Sequence, residues 1–77
     1  MIKIAKTINQ FKILSFLEGW DSLLSNIKKI ELINDSTIKL EDDKTSCYIT
    51  YDQKNKEFLV LDSKFNICWR EGEKYEK

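Results

Sequence analysis

The stretch Lys28-Lys29-Ile30-Glu31-Leu32-Ile33-Asn34-Asp35-Ser36-Thr37-Ile38-Lys39-Leu40 decides the fold, because within it the hydrophobic spacing changes from helical to two. Ile30 and Leu32 alternate with Lys29 and Glu31, and Ile38 and Leu40 alternate with Lys39. Such alternation places one row of side chains on a core and the other in water, as a half-buried strand requires. Asn34-Asp35-Ser36 between them is turn chemistry, so the stretch predicts two antiparallel strands joined by a tight reversal.

Downstream, the same pattern repeats. Glu41-Asp42-Asp43-Lys44 is a polar connection, and residues 45–51 are rich in β-branched and aromatic side chains, with Cys47, Ile49 and Tyr51 on one side. Asp52-Gln53-Lys54-Asn55 reads as a turn with Asn55 in the left-handed conformation. Phe58-Leu59-Val60-Leu61 is apolar on both faces, which places it inside the sheet. Asp62-Ser63-Lys64-Phe65-Asn66 predicts a type I turn closed by left-handed Asn66, and 67–70 the last strand. A polar tail follows from Glu71.

Upstream, Thr7-Ile8-Asn9-Gln10 matches a capping box, with a hydroxyl at the N-cap and Gln three residues later. Ile8, Phe11, Leu14 and Leu17 then recur at helical spacing, widened by Ile13 and Phe16, and predict a helix over 7–18. Gly19 is expected to end it in a left-handed conformation, with Trp20 folding back on Leu14 or Leu17. Asp21 or Ser22 would cap a second short helix carrying Leu23, Leu24 and Ile27, with Lys28 and Lys29 at its C-terminus, where the dipole favours cations. For residues 1–6, Ile2 and Ile4 fit a strand as well as an extension of the helix.

Connections are short throughout, so consecutive strands should pair as neighbours. The expected class is α+β: one or two N-terminal helices on a four- to five-stranded antiparallel meander. The helical part covers about 7–29, the meander 29–70 and the tail 71–77 of a single domain. At 77 residues the chain is one small core, and domains of this size bury only about 60% of their unfolded surface. No internal repeat or linker stands out.

Phe58-Leu59-Val60-Leu61-Asp62-Ser63-Lys64-Phe65-Asn66 resembles the last hairpin of PepSY-type modules, in which a valine-rich strand runs into an aspartate, a short turn and a glycine. Asn66 stands at the glycine position. The resemblance covers this hairpin and implies a two-stranded unit there; no activity or partner comes with it.

Composition bounds function mainly by exclusion. Thirteen basic and thirteen acidic residues give zero formal charge, so no global field draws the chain to nucleic acid or anionic membrane. Residues 1–6 lack an apolar core of the secretory type, and no apolar run approaches the ~20 residues of a membrane span. A cytoplasmic setting with reduced thiols is expected. There is no histidine, proline is absent, and two glycines cannot build a phosphate loop. Cys47 and Cys68 lie 21 residues apart within strands and are expected to be small apolar core residues, neither a nucleophile nor a zinc pair. Glu41-Asp42-Asp43 lacks the alternating ligands and glycine of a calcium loop and reads as a solvated hairpin turn. No enzyme, cofactor or metal is expected.

The aromatics carry the functional expectation. Tyr48, Tyr51, Phe58 and Trp69 are the candidate partner-binding residues, on the sheet face opposite the helix. Exposed aromatic and aliphatic side chains on a neutral domain suit a protein interface. The expectation is a non-enzymatic protein-binding module, an inhibitor or accessory subunit of the kind that phage and mobile elements encode. That association comes from the small, neutral, histidine-free chain and its lysine-, isoleucine- and asparagine-rich usage. Self-association through an edge strand is a second way to use the surface. The alternative is a single-stranded nucleic-acid binder, with sheet aromatics stacking bases and Lys39, Lys54, Lys56, Lys64 and Arg70 near the phosphates. Asp52, Glu57, Asp62 and Glu71 offset those cations, which favours protein over nucleic acid.

Overall fold

The computed structural model describes residues 4–19 and 26–72. One helix, α1 (Ile8–Leu17), precedes five strands: β1 (Lys29–Asn34), β2 (Thr37–Glu41), β3 (Ser46–Asp52), β4 (Glu57–Leu61) and β5 (Ile67–Gly72). The strands form one antiparallel sheet in the order β1-β2-β3-β4-β5, each paired with its neighbour in sequence. The α+β class is as the alternation predicts. β5 continues through Glu71 and Gly72, where the sequence suggested a polar tail. Residues 4–6 contain no strand. The start of the proposed second helix and the folding back of Trp20 fall on residues 20–25, outside the described ones. The expected C-terminal end of that helix is corrected, because residues 26–28 are not helical and Lys29 already opens β1, where it pairs with Glu41.

α1 lies across β2 and β3. Its buried stripe is Gln10, Ile13, Leu14 and Leu17, while Ile8 and Phe11 are exposed. The helix is thus rotated from the Ile8–Phe11–Leu14 face that spacing alone suggested. The reason is polar. Thr7, Asn9 and Gln10 all bind the β1–β2 turn: Thr7 Oγ1 donates to the Asp35 carbonyl at 2.6 Å, Asn9 Nδ2 to Ser36 Oγ at 2.8 Å, and Gln10 Nε2 to the Asn34 carbonyl at 2.8 Å. Gln10 can occupy a buried position because its Oε1 also accepts the Lys6 N–H at 2.7 Å. A buried amide with both ends satisfied avoids the desolvation penalty of an unpaired one.

Thr7 is the N-cap, its hydroxyl accepting the Gln10 N–H at 3.1 Å. The capping box is therefore shifted by one residue, since Gln10 reaches back to Lys6 and not to Thr7 itself. Thr7→Ala is expected to cost about 1 kcal/mol, a drop in Tm of roughly 4–8 °C for a domain of this size. Thr7→Ser should recover most of the loss in the same thermal melt. At the other end Gly19 does not adopt the left-handed conformation. Glu18 closes the helix in a right-handed conformation, and the Gly19 N–H reaches the Phe16 carbonyl at 3.3 Å. A Cβ on Gly19 would meet nothing closer than 3.6 Å, so the stop does not depend on glycine.

Residues opposite each other in an antiparallel pair share a face. The registers Ile38↔Ile49, Leu40↔Cys47, Ile49↔Val60 and Tyr51↔Phe58 therefore assign one side of the sheet to the core. Ile38, Leu40, Ile49, Tyr51 and Phe58 are buried there with Ile13, Leu14 and Leu17 of α1, and Phe16, Ile30, Leu32, Cys47 and Val60 pack against the edge of this cluster. The other side of the sheet carries Lys39, Tyr48, Thr50, Leu59, Leu61 and Arg70, and no described helix covers it.

Three turns are built alike. Asp42 Oδ1 accepts the N–H groups of Lys44 and Thr45, Asp52 Oδ1 those of Lys54 and Asn55, and Asp62 Oδ1 those of Lys64 and Asn66. An Asp-x-Lys sequence thus recurs at ten-residue intervals, a local periodicity not evident as a repeat in the sequence. In the second and third turns the asparagine side chain also donates to the aspartate, from Asn55 at 2.8 Å and from Asn66 at 3.3 Å. The positive φ falls on the neighbouring residue: Lys56 at 54° and Phe65 at 69°. The expected left-handed residues Asn55 and Asn66 are displaced from that role because their side chains and N–H groups are tied to aspartate. Lys56→Gly removes the left-handed penalty of an L-residue and is expected to raise stability by up to about 1 kcal/mol in a denaturant titration.

These hydrogen bonds hold all three aspartates below the ordinary carboxylate range. The main cause is the Lys44 N–H for Asp42, the Asn55 side chain for Asp52 and the Asn66 N–H for Asp62. A folded-state pKa below the unfolded value, about 3.9 for aspartate, adds stability that is complete above that value. It is lost as pH falls through the depressed folded pKa. Stability should therefore be level from about pH 7 to pH 5 and decline below about pH 4. The triple variant Asp42→Asn, Asp52→Asn, Asp62→Asn should show a shallower acid decline. An acid limb identical to that of the parent chain would contradict this origin.

Candidate protein-interaction surface

The open side of the sheet divides into two halves. Toward β1 and β2 it is polar: Glu31 lies opposite Lys39, and Lys39 Nζ is 3.9 Å from Glu41. Toward β4 and β5 it is apolar, with Tyr48 opposite Leu61, Leu61 opposite Ile67, and Leu59 between Thr50 and Arg70. A register irregularity at Val60/Leu61 separates Ile67 from Trp69 and swells β5 at Cys68. Such a bulge bends the edge strand and re-aims its side chains.

Phe65 completes the apolar half from the β4–β5 turn. Its ring stacks on Tyr48 with centroids 4.4 Å apart and planes 23° from parallel, yet the residue is 62% exposed. The turn holds it firmly: the Phe65 N–H donates to the Asp62 carbonyl and the Asp62 N–H to the Asn66 carbonyl, both at 2.9 Å. Positive φ in a bulky L-residue is a strained conformation, found where the surroundings over-determine it. Lys39 approaches the other ring of the pair, with Nζ 5.8 Å from the Tyr48 centroid. At the far margin Arg70 donates to Glu57 at 2.8 Å.

The four candidate residues do not share one face. Tyr48 is on the open side. Tyr51 and Phe58, only 4% and 5% exposed, belong to the core beneath α1. Phe58 stacks on Phe16 at 4.4 Å, and Tyr51 tilts against Phe58 at 5.2 Å with Lys12 over its ring. Their placement opposite the helix is thus corrected: register and burial put both on the helix side. Trp69 is also on the helix side, opposite Val60, and is half exposed. The residues that join Tyr48 are instead Leu59, Leu61, Phe65 and Ile67.

Cys47 is half-buried on the helix side, where desolvation pushes its thiol pKa up, with Asp42 and Cys68 adding to the rise. A raised pKa leaves little thiolate at neutral pH. Cys68 is exposed in β5, its Sγ 3.7 Å from the Asn66 carbonyl, which departs from the core position expected for both cysteines. The acidic stretch closes the β2–β3 hairpin, as its composition suggested: Glu41 ends β2 and faces Lys39, and Asp42 Oδ1 accepts two backbone N–H groups of the turn. Among the described residues no group of cysteine, aspartate and glutamate is arranged to hold a metal ion, and no helix is long and apolar enough to cross a membrane. Family models, curated proteins and solved structures compared with this chain contain no match to it.

Proposed function

We propose that the chain is a non-enzymatic protein-binding module, an inhibitor or accessory subunit, whose contact surface is the apolar half of the open sheet face. The observation that carries this reading is Phe65, an aromatic kept in a left-handed turn conformation and stacked on Tyr48 while most of its surface faces solvent. Strain spent on presenting an apolar ring has no evident benefit to the folded core, and pre-positioned aromatics are typical anchors of protein interfaces. The charges bordering the patch support the choice of a protein over a nucleic acid. Lys39 and Arg70 both lie within ion-pair distance of a carboxylate of the same chain, so a phosphate would have to displace Glu41 or Glu57.

The test is comparative capture from lysate of the native host by the parent chain and by the Tyr48→Ala, Phe65→Ala double variant. Species retained by the parent and lost by the folded variant support the reading. Equal retention by both removes the open face from consideration. Single-stranded oligonucleotides titrated at low salt supply the other arm. Tight binding that weakens steeply with added salt, and disappears in the same variant, would replace protein with nucleic acid as the partner.

A further inference from the structure

We draw no further inference here: the strongest candidate, the apolar groove of about 310 Å3 between α1 and the end of β5 lined by Phe11, Phe16 and Phe58, carries nothing because nothing in the structure shows what covers it.

Discussion

Ile49→Ala is expected to leave most of the chain unfolded at 25 °C. Ile49 has no solvent exposure and sits in the third of five strands, opposite both Ile38 and Val60. Its side chain belongs to the cluster that joins β2, β3 and β4 to α1. Truncating a fully buried isoleucine removes transfer free energy and leaves a cavity, at a combined cost of about 2–5 kcal/mol. A domain this short rarely has more than about 3–5 kcal/mol in total, so the loss is comparable to the whole. Far-UV circular dichroism against urea concentration reads the effect directly. Leu59→Ala, one strand over and on the open side, should cost well under half as much. If the two variants unfold at the same midpoint, the assignment of faces is wrong.

Tyr48→Ala combined with Phe65→Ala is expected to have the largest effect on binding. Interface anchors of this kind contribute about 2–4 kcal/mol when truncated, roughly 30- to 1,000-fold in Kd. The folded domain should lose less, since an aromatic pair contributes about 0.5–1.5 kcal/mol beyond its buried area. Phe65→Gly separates the two roles. Glycine accepts φ of 69° without penalty, so the relief of strain offsets the lost stack and stability should change little. Binding should still fall, because the exposed ring is gone. A site residue whose removal leaves stability level while removing function is the pattern expected where conformation has been compromised for contact. A variant that loses both in proportion would make Phe65 a structural residue.

Much of the architecture is legible in the chain because one variable governs it. The two-residue spacing that sets in at Lys29 marks where the meander begins, and short polar connections force neighbouring strands to pair. The hairpin formed by β4 and β5, which the PepSY resemblance also implied, follows from that same local pairing. The site is harder to read, since alternation says which residues share a face but not which face meets the helix. Tyr51 and Phe58 carry the same aromatic signal whether they are buried or displayed. Only register against Ile49 and Val60 places them inward.

Two further features depend on side-chain contacts that hydrophobic spacing does not register, one distant in sequence and one local. The buried stripe of α1 includes Gln10 because the Asn34 carbonyl, 24 positions away, needs a donor there. Apolar spacing alone could not select glutamine for the core. The left-handed residues were misplaced for the opposite reason: asparagine is the usual occupant of such positions, but the local aspartate captures it first. An aromatic in a turn, where small polar residues are favoured, was the available signal for Phe65. It becomes decisive only once Tyr48 is seen beneath it.

The most direct test of the account is to measure the affinity of a captured partner for three single variants, Tyr48→Ala, Phe65→Ala and Trp69→Ala, each checked for folding by circular dichroism. Tyr48 and Phe65 lie on the open face, whereas Trp69 lies on the helix side of the same sheet. The account predicts at least a roughly tenfold loss at Tyr48 and at Phe65, and a change of less than about twofold at Trp69. Unchanged affinity at Tyr48 and Phe65 together with loss at Trp69 would move the binding surface to the other side of the sheet and contradict the account.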